Sequence, residues 1–121
     1  MAGALSGLKV VDLSRVLAGP LCTQMLADHG AEVIKVEPPS GDETRHLGPP
    51  FDDNGQAAYF GAVNRGKRAI TLDLTQPDAR ATLEALLEEA DILVEIAQEA
   101  KNQEGELSVL GSGVVELPRR G

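Results

Sequence analysis

Three cations lie close together in an otherwise acidic chain, in the run Asn64-Arg65-Gly66-Lys67-Arg68. Arg offers a planar fork of N–H donors and Lys a compact point charge, so the cluster suits a ligand that carries several phosphates. Gly66 would let the backbone approach such a ligand closely. A solvated basic loop fits the same residues equally well. The run therefore indicates either a phosphate site or a basic surface.

A second candidate anion site is the stretch from Ser14 to Pro20, which lies between a predicted strand and a predicted helix. Backbone N–H groups and the helix dipole favour anions at such a place, and Arg15 would add a donor. A Gly-Pro helix start is also ordinary capping. Gly19 is the single glycine between Ser14 and His29, so this is not the G-x-G-x-x-G fingerprint of dinucleotide binding.

The other titratable residues form no catalytic or metal-binding pattern. The acids in the segment from Pro38 to Gly55 lack the spacing of a calcium or magnesium site and are interpreted as solvated; they are Asp42, Glu43, Asp52 and Asp53. Cys22 is interpreted as a small buried residue, and His29 as a helix end. His46 has no partner that the sequence identifies. We predict no metal site and assign no catalytic residue.

Composition limits the class of protein. A length of 121 residues fits about one domain. The net charge of −8 argues against nucleic acids and anionic membranes as partners, because these attract clustered Lys and Arg. One cysteine cannot form an internal disulfide, and no stretch reaches the roughly 18 apolar residues of a membrane span. We therefore expect a cytoplasmic protein.

The elements that would position these sites form two β-α-β units. In the first, Leu8 to Leu13 is a short β-branched strand, Pro20 to His29 has helical spacing, and Val33 to Glu37 is a second strand. Gly30 would end the helix. The first unit therefore spans residues 8 to 37, the usual length of such a motif.

The second unit begins with the strand Arg68 to Leu74. Thr75-Gln76-Pro77-Asp78 predicts a helix start with a side-chain cap. The helix carries one apolar stripe, made of Leu83, Leu86, Leu87 and Ala90. Asp91 to Glu95 is the fourth strand. The fold class is therefore α/β, a Rossmann-like half with a mostly parallel sheet, in which ligands bind beyond the carboxyl ends of the strands.

We divide the chain into residues 1–95, the α/β segment, and residues 96–121, a divergent tail. The tail opens polar, and its apolar residues after Leu107 are interrupted by Gly111-Ser112-Gly113, which allows a last hairpin. Pro38 to Gly55 is rich in Pro, Gly and acids and predicts a surface loop, long enough to be suspected of a function.

Five blocks of this sequence resemble the opening of class III (CaiB/BaiF-type) CoA-transferases. They are Leu5 to Arg15 followed by Ala18-Gly19-Pro20, Leu26 to Glu37, Gly41-Asp42 with Arg45, Asn64 to Arg68, and Asp91 to Glu95. The resemblance covers most of this chain and only the opening part of a typical member. After Glu95 the family usually continues Asn-Phe-x-Pro-Gly, where this chain has Ile96-Ala97-Gln98-Glu99-Ala100.

The resemblance implies an acyl-CoA site built from two loops. Arg15, Leu17 and Ala18 match the active-site loop, and Lys67 and Arg68 match the basic loop that contacts CoA. The implied ligands are CoA or acyl-CoA and a carboxylic acid, all as substrates, with no covalently bound cofactor. Some formyl-CoA transferases have Gln where Leu17 stands, so that amide role is absent here.

The resemblance also implies that the catalytic carboxylate lies beyond residue 121. In the family's transferases that aspartate takes the acyl group as a mixed anhydride, then forms an aspartyl-CoA thioester before CoA passes to the acceptor. Racemases of the family use a downstream His and Asp. We therefore expect this chain to be inactive alone. Full-length members form interlocked homodimers, a ring that this chain is not expected to thread.

The sequence thus predicts the N-terminal portion of a class III CoA-transferase. Three alternatives stay open: an α-methylacyl-CoA racemase-like member, a non-catalytic CoA- or nucleotide-binding module, and a truncated remnant with an unrelated tail.

Overall fold

A computed structural model of the chain describes residues 3–95, together with the backbone of three strands at residues 99–101, 107–110 and 114–116. The elements are β1 (Lys9–Asp12), α1 (Ala18–Asp28), β2 (Glu32–Glu37), a 3₁₀ helix (Glu43–His46), α2 (Ala58–Val63), β3 (Arg68–Thr71), α3 (Pro77–Glu89), β4 (Ile92–Glu95), β5 (Glu99–Lys101), β6 (Leu107–Leu110) and β7 (Val114–Glu116).

The central sheet has the strand order β3-β2-β1-β4-β7. β1 pairs in parallel with β2 and with β4, and β2 pairs in parallel with β3. β7 is antiparallel to β4. Both predicted β-α-β units and the mostly parallel α/β sheet are therefore confirmed. Because β2 and β4 lie on opposite sides of β1, the connections diverge at β1, and such a switch point is where open α/β sheets bind ligands.

The two faces of the sheet carry separate apolar cores, because successive side chains of a strand point to opposite faces. On one face Val10, Val33 and Val94 pack against Leu26 and Ala27 of α1. On the other face the buried residues Val11, Val36 and Ala90 pack with the predicted stripe of α3, Leu83, Leu86 and Leu87. Each buried Val contributes roughly 1.5 to 3 kcal/mol relative to an exposed one. Burial of this kind on both faces fixes the sheet that carries the site.

Two helix ends differ in how they are formed. The N-cap of α3 is Gln76, and no side chain caps it, so the predicted side-chain cap is wrong; Pro77 pre-sets the first turn instead. The Thr75 side chain donates to Asp73. After α1, Gly30 has a φ of 104°, the left-handed stop that the sequence predicts.

The segment from Pro38 to Gly55 is not wholly a surface loop. It contains the 3₁₀ helix, and Asp42 and Thr44 are fully buried. The interpretation of Asp42 as a solvated acid is therefore wrong. The sequence also missed α2, whose six residues bury only Phe60 and Val63, too few for a periodic signal.

The hairpin predicted after Leu107 is also wrong, because β6 pairs with β5 and β7 pairs with β4. Apart from β5, β6 and β7, the predicted tail of residues 96–121 lies outside the described residues. The division at Glu95 stays a prediction. Among the residues with described structure, no helix is long and apolar enough to cross a membrane.

Candidate functional site

A cleft of about 460 Å³ opens at the carboxyl ends of the four parallel strands. Its walls come from Leu13 and Arg15 after β1, Val36 to Pro39 at the end of β2, Leu72 to Thr75 after β3, and Glu95 at the end of β4. The edge of the sheet that carries these strand ends is the one where open α/β folds bind ligands. The volume is within the usual range of small-molecule sites.

The walls of the cleft are mainly apolar. Leu13, Val36 and Leu72 extend the face of the sheet that α3 covers. Among the described lining residues Arg15 is the one cation, and three carboxylates also line the cleft, those of Glu37, Asp73 and Glu95. Such a cleft suits a flat apolar group with an anionic substituent near Arg15.

Arg15 remains available for a ligand. Its Nη1 lies 3.7 Å from Glu43 Oε1, and about half of its side chain is exposed. A pair as exposed as this one contributes little and does not hold the guanidinium firmly. Of the residues that the sequence predicted as a CoA site, Arg15 is the one that lines the cleft.

Leu17 and Ala18 begin α1 directly after this loop. Leu17 is the N-cap, is half exposed and has no side-chain cap, and no acid stands in the first turn. Ala18 is exposed and is the first residue of the helix. Neither residue lines the cleft. Their predicted contact with a ligand stays a prediction.

Lys67 has an internal position that the sequence did not predict. Its side chain is only 2% exposed, and its ammonium donates to Asp12 Oδ2 at 3.1 Å, Pro20 O at 2.8 Å and Asn64 Oδ1 at 2.8 Å. These three contacts use all the donors of an ammonium. Burial lowers the pKa of Lys67 by more than the neighbouring Asp12 carboxylate raises it. This geometry leaves Lys67 no donor for a phosphate.

The other cations of the basic run point to different partners. Arg65 pairs with Asp28 at 2.7 Å, and Arg68 lies 3.6 Å from Glu32 with 78% of its side chain exposed. Arg68 stands at the amino end of β3, whereas the cleft lies beyond the carboxyl end of that strand. The structure therefore does not bring Lys67 and Arg68 together with Arg15 in one site.

A buried polar network supports the loop between β1 and α1. Asp12 is fully buried and accepts hydrogen bonds from Ser14 and Thr23 in addition to Lys67. Lys35, also fully buried, pairs with Asp42 at 2.8 Å. No buried side-chain polar atom in the described part of the chain lacks a hydrogen-bond partner. The network is thus complete, as buried charges require.

Glu37 and Arg45 form a bidentate ion pair next to this network. Arg45 Nε and Nη2 donate to the two oxygens of Glu37 at 2.8 and 2.7 Å, and its guanidinium lies 3.7 Å from the centre of the Phe60 ring. Burial alone raises the pKa of Glu37, but the hydrogen bonds from Arg45 and from the Asp42 N–H outweigh it, so the pKa lies below its ordinary value.

The carboxyl of Asp42 is perturbed in the same way. Burial raises its pKa, and the hydrogen bonds from Lys35 and Thr44 outweigh that effect, so the pKa is lowered. Cys22, expected to be buried, is exposed on α1. No group of three His, Cys, Asp or Glu side chains that could hold a metal ion occurs within the described residues.

Comparison with known proteins gives a consistent set of relatives. A sequence model described as CoA-transferase family III matches residues 5–108. The chain is 53% identical over 97 residues to succinate–glutarate CoA-transferase of Agrobacterium fabrum, which covers 75% of this chain and 24% of that protein. It is 41% identical over 114 residues to succinyl-CoA:glutarate CoA-transferase of Homo sapiens, which covers 93% of this chain and 25% of that protein.

Solved structures agree with the sequence relatives. A CAIB/BAIF family protein from Brucella suis superposes with a TM-score of 0.74 at 53% identity, over 77% of this chain and 25% of that one. A hypothetical protein from Mycobacterium tuberculosis superposes with a TM-score of 0.68 at 43% identity, over 76% of this chain and 25% of that one. The chain thus spans about a quarter of the length of the curated relatives that it matches.

Proposed function

The chain belongs to CoA-transferase family III, and on that premise we propose that it supplies part of the acyl-CoA site of an enzyme that transfers CoA between an acyl-CoA and a carboxylic acid. The observation that carries the proposal is the cleft at the carboxyl ends of the parallel strands, with Arg15 as the cation in its wall. The cytoplasmic location expected of a chain with one cysteine is part of the same proposal.

The chemistry of the cleft supports a CoA thioester as the ligand. CoA combines a flat heteroaromatic base with phosphates, and the apolar walls formed by Leu13, Val36 and Leu72 offer contact area for such a base. Arg15 offers a planar fork that matches the geometry of a phosphate oxygen pair. Since the chain spans a quarter of its relatives, we expect an affinity of roughly millimolar Kd for this part of the site.

The acceptor that we propose is a small dicarboxylic acid. Three of the relatives are named for succinate, glutarate and mesaconate. These names also favour transfer of CoA over racemisation. The identity of the acceptor is a proposal that rests on the names of relatives.

Three buried carboxylates near the site are not proposed as the acyl carrier. Asp12 and Asp42 are fully buried, and Glu37 is 4% exposed. All three are held by cations, namely Lys67, Lys35 and Arg45. A carboxylate in such a position cannot reach a thioester without leaving its partner, so we propose none of these three as the group that carries the acyl group.

Calorimetric titration of the purified chain with CoA tests the proposal. If Arg15 contacts a phosphate, Arg15→Ala should weaken binding by about 1.5 to 3 kcal/mol, which is about ten- to a hundredfold. Arg68→Ala is the matched control, because it removes the same charge from a residue outside the cleft. An unaltered affinity for Arg15→Ala, or an equal loss for Arg68→Ala, would refute the cleft as the CoA site.

A further inference from the structure

The backbone of Val16 adopts a conformation that its side chain disfavours. Its φ is 72°, in the left-handed region, where a β-branched residue is a genuine outlier. Val16 directly follows Arg15, the cation in the cleft wall. Such a conformation persists when surrounding groups impose it, and it occurs preferentially at functional sites. The groups that impose it here can be identified.

The buried pair of Lys35 and Asp42 holds both peptide groups that flank Arg15. On the near side, Lys35 Nζ donates to Ser14 O at 3.1 Å. On the far side, the Val16 N–H donates to both carboxylate oxygens of Asp42 at 3.4 Å. The two side chains are joined to each other at 2.8 Å. The pair therefore fixes the backbone on either side of Arg15.

The position of Asp42 is itself fixed from its own segment. Its Oδ1 accepts hydrogen bonds from the N–H and hydroxyl of Thr44, at 3.0 and 2.8 Å, and its N–H donates to Glu37 Oε1 at 2.9 Å. Both Lys35 and Glu37 belong to β2, so the pair of Lys35 and Asp42 is anchored on the sheet. A buried, fully bonded cluster of this kind holds one geometry because each displaced group would lose its partner in a dry environment.

We propose that Lys35 and Asp42 are positioning residues, which hold the loop between β1 and α1 so that Arg15 is presented to the acyl-CoA cleft. The proposal rests on the proposed function for the identity of the ligand. It goes beyond that function because neither residue lines the cleft. Both act through the backbone of a residue that does.

The test uses the purified chain and replaces the pair as a unit, with Lys35→Met and Asp42→Leu together. Replacing both members of a buried ion pair by apolar residues is often tolerated, whereas removing one leaves an unpaired buried charge. The matched control is Lys9→Met with Glu89→Leu, the same kind of change in an exposed pair 3.5 Å apart, where Lys9 stands at the amino end of β1 and the cleft lies beyond its carboxyl end. Asp42→Asn serves as a second, milder variant.

Amide hydrogen exchange measured by NMR is the first readout, and it needs no ligand. We expect the Val16 amide, which donates to Asp42, to exchange at least tenfold faster in the Lys35→Met, Asp42→Leu variant, while the Val94 amide in β4 keeps its rate. The control should leave both rates unchanged. An unchanged Val16 rate in a folded variant would overturn the proposal.

CoA affinity is the second readout, and it separates positioning from mere stabilisation. We expect the double replacement to weaken binding about as much as Arg15→Ala, and to add no further loss when combined with Arg15→Ala. A loss that is the same in both backgrounds would overturn the proposed action through Arg15. If the unmodified chain shows no CoA binding at all, the proposed function fails, and the exchange rates still decide whether the pair holds the loop.

Discussion

Lys67 and Arg68 are neighbours in the sequence, yet the structure places one inside the protein and the other on its surface. Lys67→Met removes an ammonium that serves Asp12, Pro20 and Asn64, while the methionine retains much of the aliphatic length. Asp12 then remains fully buried without its cation. Arg68→Ala removes the same charge from a side chain that is 78% exposed. Both variants lose one positive charge, so the difference between their stabilities reports the effect of burying that charge.

Removing one member of a buried ion pair costs about 3 to 5 kcal/mol of the free energy of unfolding. Asp12 keeps its hydrogen bonds from Ser14 and Thr23, so we expect the lower end for Lys67→Met, about 3 kcal/mol. For Arg68→Ala we expect about 0 to 1 kcal/mol. Adding Asp12→Asn to Lys67→Met should recover about 1 kcal/mol, because it removes the uncompensated charge.

Urea unfolding followed by far-ultraviolet circular dichroism measures these differences. Circular dichroism is used because the chain has no Trp, so fluorescence would report little. The midpoint should move and the slope should stay the same, because the surface exposed on unfolding is unchanged. A loss of about 3 kcal/mol is a large part of the free energy of unfolding of a typical domain, which is roughly 5 to 15 kcal/mol. If Lys67→Met costs no more than Arg68→Ala, then Lys67 is solvated and the internal role is refuted.

Three further outcomes follow from the same geometry. The carboxyls of Glu37 and Asp42 have pKa values below their ordinary values of 4.5 and 3.8. They therefore stabilise the fold above those ordinary values, and this contribution is lost as the pH falls through the lower pKa values of the folded state. Equal urea midpoints at pH 7 and pH 3 would contradict this. Glu43→Gln should strengthen CoA binding by up to about fivefold in calorimetry, because it frees Arg15 from a pair worth about 1 kcal/mol or less, and weaker binding would count against it. Gly41→Ala should lower stability by about 1 to 2 kcal/mol, since φ is 75° there, and an unchanged melting temperature would exclude this.

The fold could be predicted because its signals are local. The strand Val33 to Glu37 is a β-branched run, and the α3 stripe recurs at helical spacing, so each element was recognisable from its own residues. α2 was missed because six residues carry no such period. β6 and β7 were recognisable as apolar runs. The partner of β6 is β5, a Glu-Ala-Lys segment without an apolar pattern, and β7 pairs with β4, so the predicted hairpin paired them wrongly.

The site was predicted less completely because burial of a charge depends on partners far away in the sequence. Lys67 looked like a phosphate ligand because its partner Asp12 is distant in the chain. One sequence signal could have revealed the network. Lys35 and Glu37 stand inside the predicted strand Val33 to Glu37, and a charge that is buried in a parallel sheet needs a partner. That signal predicts a buried acid, and the structure shows that it is Asp42 in the loop after β2.

The central claim is that the cleft at the strand ends binds CoA. A titration of the ¹⁵N-labelled chain with CoA, followed by two-dimensional NMR, tests it most directly. We predict that the largest amide shifts lie at Leu13 to Arg15 and at Leu72 to Thr75, the segments that line the cleft from β1 and β3. Shifts centred on Arg65 to Arg68 instead, or no shifts at millimolar CoA, would contradict the claim.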